Sequence, residues 1–230
     1  MIPEKNVICI PYAGGSSYMY NEMRKELENK HIAIQAVDLP GKGYRIEEKP
    51  CADFQDALAD SVHSLLETPN YSSNSVFGYS MGGLLAYEAV RRIYLKYKML
   101  PRHLFLAACD PPPVHIKQEP VPWEKDSSFI EYLIKHGGIT RELAENQDFL
   151  EFFLPIVRND YRILDLYEYH EENSFLPMKA DILYSDDETD ITEWGRFFTK
   201  CSYHHFLGGH FFINQSVERI CQIVYHEVHV

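Results

Sequence analysis

The chain has 230 residues, 45% of them hydrophobic, enough for one domain with a sizeable core, and carries a formal net charge of -12. That charge excludes sequence-independent nucleic-acid binding, which needs clustered lysine and arginine against phosphate. The opening MIPEKNVICI has neither a basic start nor a long apolar run, and no window approaches the roughly 18 consecutive apolar residues of a membrane span. A cytoplasmic, monomeric protein with no membrane association is expected.

In chain order, NVICIPYAGG reads as a buried strand ending in a Gly-rich turn, Tyr18 to Lys30 has helical periodicity, and HIAIQAVD from His31 is a second strand. Phe54 to Leu66 is an amphipathic helix, Ser75 to Phe77 a strand, Met81 to about Lys98 a helix, and His103 to Cys109 a strand stopped by three prolines. Strands alternating with helices imply right-handed crossovers and a mostly parallel sheet flanked by helices. From 111 to about 177 the alternation stops. Helical patterns at Ser127 to Lys135, Arg141 to Glu145, Asp148 to Asp160 and Tyr161 to Glu168 make this stretch a helical insertion, a lid over the strand ends, within a single domain spanning 1–230. Alternation resumes with a strand at Ile182 to Tyr184, a short helix around Trp194 to Thr199, a strand at Tyr203 to Leu207 and a closing helix from about Gln215 to Glu227.

The chemistry centres on VFGYSMGG, Val76 to Gly83. Its G-x-S-x-G spacing lets the chain turn sharply between strand and helix and leaves the Ser80 hydroxyl exposed at the tip, as a nucleophile requires. A serine needs a base, itself oriented by a third group, and in the α/β-hydrolase arrangement these follow in the order serine, acid, histidine after successive strands. His210, behind two glycines after the last strand, is the candidate base. Asp187 is the candidate acid, although Asp186, Glu188 and Asp190 stand in the same SDDETD turn and remain open. The backbone amides of Met81 and of Ala13, in the PYAGG turn, are placed to receive an oxyanion.

Other features carry blander readings. His204, His205 and His210 alternate along a strand without metal-ligand spacing, so no metal and no cofactor are expected. The five cysteines (Cys9, Cys51, Cys109, Cys201 and Cys221) read as reduced thiols, and HGG at His136 to Gly138 as a helix stop. The aromatics of the insertion (Phe129, Tyr132, Phe149, Phe152, Phe153 and Tyr161) read as its own core.

With those residues in place, the chain resembles the type II thioesterases that accompany nonribosomal peptide and polyketide synthetases, in the α/β-hydrolase superfamily. The matching pieces are PYAGGSS at Pro11, DLPGKGYR at Asp38, VFGYSMGG at Val76, AACDPP at Ala107, the block from Ile134 to Tyr169, and FLGGHFFIN at Phe206. The resemblance implies hydrolysis of acyl thioesters from the 4'-phosphopantetheine arm of an acyl or peptidyl carrier protein, clearing misprimed or stalled groups. It carries over Ser80 as nucleophile, His210 as base and the amides of Ala13 and Met81 as oxyanion hole. Many members have histidine where this chain has Tyr79, and the segment between the acid and Trp194 is short and lacks their usual glycine. A small-molecule carboxylesterase and an acyltransferase are the alternatives. Lys42 and Arg45, or Lys117 and Lys125, are candidate contacts for an acidic carrier.

Overall fold

The fold is described from a computed structural model, which covers residues 5–118, 120–172 and 174–229; residues 1–4 of the opening segment lie outside it. Among the described residues, six strands, β1 (Lys5–Ile10), β2 (Ile32–Ala36), β3 (Ser75–Tyr79), β4 (His103–Ala107), β5 (Leu176–Tyr184) and β6 (Phe198–His205), form one sheet in the order β2-β1-β3-β4-β5-β6, and every neighbouring pair is parallel. Burial along each strand follows that order. The central strands β3 (Ser75–Tyr79) and β4 (His103–Ala107) are buried at every residue. The edge strands β2 (Ile32–Ala36) and β6 (Phe198–His205) are only partly covered. A parallel strand sandwiched by helices has no solvated face, so it reads as an unbroken apolar run.

Side chains alternate between the two faces with a period of two. From β1 (Lys5–Ile10), Val7 and Cys9 join a core with Met23 and Leu27 of α1 (Asn21–Glu28) and Ile220 and Val224 of α8 (Val217–His229). Ile8 and Ile10 point the other way, toward Phe54 and Leu58 of α2 (Phe54–Glu67) and Leu85 and Val90 of α3 (Met81–Tyr97). Asp53 caps α2 by accepting a hydrogen bond from the Asp56 amide. Because the chain runs from β1 out to β2 and returns past β1 to β3, the order reverses between β1 and β3, where parallel sheets open a crevice at their carboxyl ends.

Between β4 and β5 (Leu176–Tyr184) lie α4 (Pro112–His115), α5 (Asp126–Lys135), α6 (Arg141–Ala144) and α7 (Gln147–Asp165). Phe129, Leu133, Ile139, Leu154 and Val157 form a separate small cluster there, with Tyr132, Phe149, Phe153 and Tyr161 packed on it; Phe152 is exposed. His136 caps α5 and Gly137 takes φ +76°, which turns the chain out of the helix.

Three local expectations are corrected. The segments expected at Asp148 to Asp160 and Tyr161 to Glu168 are one helix, α7, which runs through Asp160, buried and hydrogen-bonded to the Gly14 amide and Lys42. The helix expected at Trp194 to Thr199 is a 3-10 turn, Ile191–Arg196, because Phe198 is already paired with Leu176. For the same reason β5 and β6 begin earlier, at Leu176 and Phe198.

Candidate active site

Ser80 sits between β3 and α3 with φ 54° and ψ -120°, a conformation that costs a non-glycine residue energy and persists only where its surroundings impose it. The surroundings do so by close approach. A Cβ on Gly78 would lie 2.2 Å from the Gly82 carbonyl oxygen, and one on Gly82 would lie 2.0 Å from that of Ile10. Only glycines let the strand, the helix and the end of β1 come this near. The same approach brings the first turn of α3, where Met81 stands, beside the turn after β1 that holds Ala13. The Ser80 amide donates to the Ala107 carbonyl at 2.8 Å, fixing the turn against β4.

The Ser80 hydroxyl lies 2.9 Å from Nε2 of His210, whose Nδ1 lies 2.7 Å from Oε1 of Glu188. Glu188 is buried; its other oxygen accepts from the Ser185 amide at 2.7 Å and the Ser185 hydroxyl at 2.8 Å. Burial alone would raise the Glu188 carboxyl, but the His210 and Ser185 hydrogen bonds outweigh it and hold the group below the ordinary glutamate range. A charged acceptor on Nδ1 fixes that nitrogen as the donor and leaves Nε2 free to accept from serine.

The acid expected at Asp187 is therefore corrected: the structure puts Glu188 against the histidine. The chain leaves β5 at Tyr184 and folds back so that residue 188, one methylene longer than aspartate, reaches inward. The exposed Asp187 carboxylate accepts instead from the His210 main-chain amide at 2.6 Å, holding the loop and not the imidazole. Asp186 is exposed and pairs with His205 at 2.8 Å, and Asp190 begins the following 3-10 turn.

A thioesterase domain model matches residues 5–228. The chain belongs to the thioesterase family. Among its relatives, LgrE of Brevibacillus parabrevis, named a linear gramicidin dehydrogenase, is 30% identical, over 93% of this chain and 83% of its own. AngT of Vibrio anguillarum, named a probable anguibactin biosynthesis thioesterase, is 27% identical over 95% of this chain and 89% of its own. YbtT, a type II thioesterase of the yersiniabactin NRPS/PKS pathway, has the same α/β-hydrolase fold: the TM-score is 0.81 at 24% identity, over 98% of this chain and 94% of that one.

Several residues of this thioesterase have roles that the sequence did not signal. Tyr79, a departure from the family's usual histidine, donates its phenol to the His210 carbonyl at 2.6 Å and accepts from the Ile213 amide at 3.2 Å. Burial pushes its pKa well up, so it stays a donor. Asp110, after β4, accepts from the Thr189 amide at 2.7 Å and so braces the turn that carries Glu188. Burial pushes the Asp110 carboxyl up to about 6, against the pull of that amide.

The basic residues after β2 are not free. Lys42 is buried and paired with Asp160 at 2.7 Å, and Arg45 is paired with Glu48 and Asp60, whereas Lys117 and Lys125 are exposed. The three late histidines diverge to three different carboxylates: His204 to Asp181, His205 to Asp186 and His210 to Glu188. Among the described residues no helix is long and apolar enough to cross a membrane, and all five cysteines are free.

Proposed function

We propose that this thioesterase removes acyl groups from the 4'-phosphopantetheine arm of carrier proteins of a nonribosomal peptide or polyketide synthetase, clearing misprimed or stalled intermediates. The observation that carries the reading is His210 hydrogen-bonded at once to the Ser80 hydroxyl and to the buried Glu188. The names of AngT and YbtT support the pathway. The activity in the name of LgrE is not adopted, because a serine–histidine–carboxylate relay serves acyl transfer and has no part in moving a hydride.

In the mechanism, His210 takes the Ser80 proton as Oγ attacks the thioester carbonyl. The amides of Ala13 and Met81 hold the oxyanion, and Glu188 stabilises the imidazolium. The tetrahedral adduct collapses, the carbon–sulfur bond breaks, and His210 returns the proton to the pantetheine sulfur, leaving an acyl-Ser80 ester. Water, deprotonated by His210, attacks that ester; the carboxylic acid leaves and the proton returns to Ser80. Each bond made is matched by one broken, with no metal or redox cofactor in the cycle. The pantetheine belongs to the substrate. The insertion acts as a lid, and the protein works as a cytoplasmic monomer.

Rates on acyl-pantetheine thioesters and on matched oxygen esters test the proposal. A thioester preference lost in Ser80→Ala is expected; a preference for the oxygen ester would make the protein a carboxylesterase.

A further inference from the structure

The helical insertion reaches the turn that holds Ala13 through one buried carboxylate. Asp160, on α7 and 2% exposed, accepts from the Gly14 amide at 2.6 Å, and the same oxygen is paired with Lys42 Nζ at 2.7 Å. Lys42, 6% exposed, comes from the loop after β2, so three segments meet at one oxygen. Val157, also on α7, packs so closely that a Cβ on Gly14 would lie 3.0 Å from it.

The turn is closed by the Gly15 amide donating to the Tyr12 carbonyl at 2.9 Å, with Gly14 at φ +77°. In such a turn the two central amides, of Ala13 and Gly14, point away from the closing hydrogen bond. Asp160 takes the Gly14 amide, which fixes the peptide plane next to Ala13 and leaves the Ala13 amide to face the substrate. A carboxylate so near an oxyanion would oppose the negative charge that develops there. Lys42 cancels it, and in a buried setting the cancellation is worth more than it would be in water.

We propose that Asp160, neutralised by Lys42, is a positioning residue that holds the Gly14 peptide so that the Ala13 amide is aimed at the oxyanion. The inference rests on the reading of Ser80 as nucleophile. It also couples α7 to the chemistry: lifting the helix off the turn would release the Gly14 amide and disorganise the oxyanion site.

The experiment compares Lys42→Met, Asp160→Ala and the double variant Lys42→Met/Asp160→Asn with the wild type. The readouts are kcat and KM on acetyl-pantetheine and p-nitrophenyl acetate, and inhibition by a trifluoromethyl ketone thioether, whose adduct with Ser80 carries an oxyanion. Each single variant should lower kcat about 10- to 100-fold with KM within about twofold, and weaken the ketone by a similar factor. The double variant keeps an oxygen acceptor for Gly14 and leaves no buried charge unpaired. It should recover most of kcat and, if a single variant fails to fold, it still reads the effect. A double variant as slow as the singles, a change in KM alone, or unchanged ketone binding would each overturn the proposal. Because p-nitrophenyl acetate also forms its oxyanion on Ser80, the test stands even where the thioester is not cleaved, so the two readings fail separately.

Discussion

The sheet and the helical insertion are built differently. In the sheet, apolar strands are buried on both faces between helices, and the residues that present chemistry follow the strand ends: Ala13 after β1, Ser80 after β3, Asp110 after β4, Glu188 after β5 and His210 after β6. In the insertion, five buried side chains form a satellite cluster, and α7 is tied to the rest by Ile163, which joins the main core, and by polar contacts from Asp160 to Gly14 and Lys42 and from Asn159 to the Cys51 carbonyl. A large apolar core sets geometry cooperatively, whereas a small cluster with few apolar and polar ties to that core opens at lower cost. The candidate catalytic groups stand on the first kind of structure, and the second kind lies against their turn.

The largest expected effect is at the strand ends. Ser80→Ala and His210→Ala should lower kcat by about 10^4-fold or more, and Glu188→Gln by about 10^2- to 10^4-fold, since the amide cannot hold the imidazole in the correct state. Asp187→Asn, measured in the same steady-state assay, should cost less than about 10-fold, because it touches only the His210 main chain. Reversed ranks would return the role of acid to Asp187.

Next in size is the packing contrast. Trp194 is fully buried and donates Nε1 to the Cys109 carbonyl at 3.0 Å. Trp194→Ala should cost about 3–5 kcal/mol in denaturant unfolding. Phe129→Ala, in the satellite cluster, should move the global midpoint less and speed hydrogen exchange within 126–165. Equal global losses would mean that the insertion and the sheet unfold as one unit.

The half-buried Asp110 and the buried Glu188 then differ in sign. Asp110 has a folded pKa raised to about 6, so the folded state binds an extra proton between about pH 4 and 6, and stability falls as pH rises through that window, by on the order of 2 kcal/mol. Glu188 is lowered, so its contribution is present above the ordinary glutamate pKa and is lost as pH falls through the folded value. Asp110→Asn, which retains an acceptor for Thr189, should be more stable relative to wild type at pH 7 than at pH 4.5 in urea melts; no pH dependence of that difference would contradict the shift. Smallest is Asn146→Ala, which removes the acceptor for the Phe149 amide and should fray the start of α7 by about 1 kcal/mol, read as faster exchange at 147–151.

Much of the sheet was legible, because the apolar runs and the spacing of the glycines in VFGYSMGG can be read from a few adjacent residues. Ser80 and His210 could be named as candidates from the G-x-S-x-G spacing and from the place of His210 behind two glycines after the last strand. The acid could not, because SDDETD offers carboxylates in succession, and what selects Glu188 is the fold of the turn and its burial against Ser185, neither of which is periodic. Lys42 looked like a surface charge because its partner, Asp160, is 118 positions away. Tyr79 could be noted as a departure from the family but not as a brace for His210, 131 positions on.

Intact-mass spectrometry of both proteins during the reaction is the most direct test. An acetyl-loaded carrier protein is mixed with the wild-type chain or with Ser80→Ala and quenched over time. The expected result is loss of the acetyl mass from the carrier with the pantetheine arm retained, a transient acetyl mass on the wild-type chain mapping to the Ser80 peptide, and neither event with Ser80→Ala. A carrier that keeps its acetyl group, or loses it equally with Ser80→Ala, would contradict a Ser80-dependent carrier thioesterase.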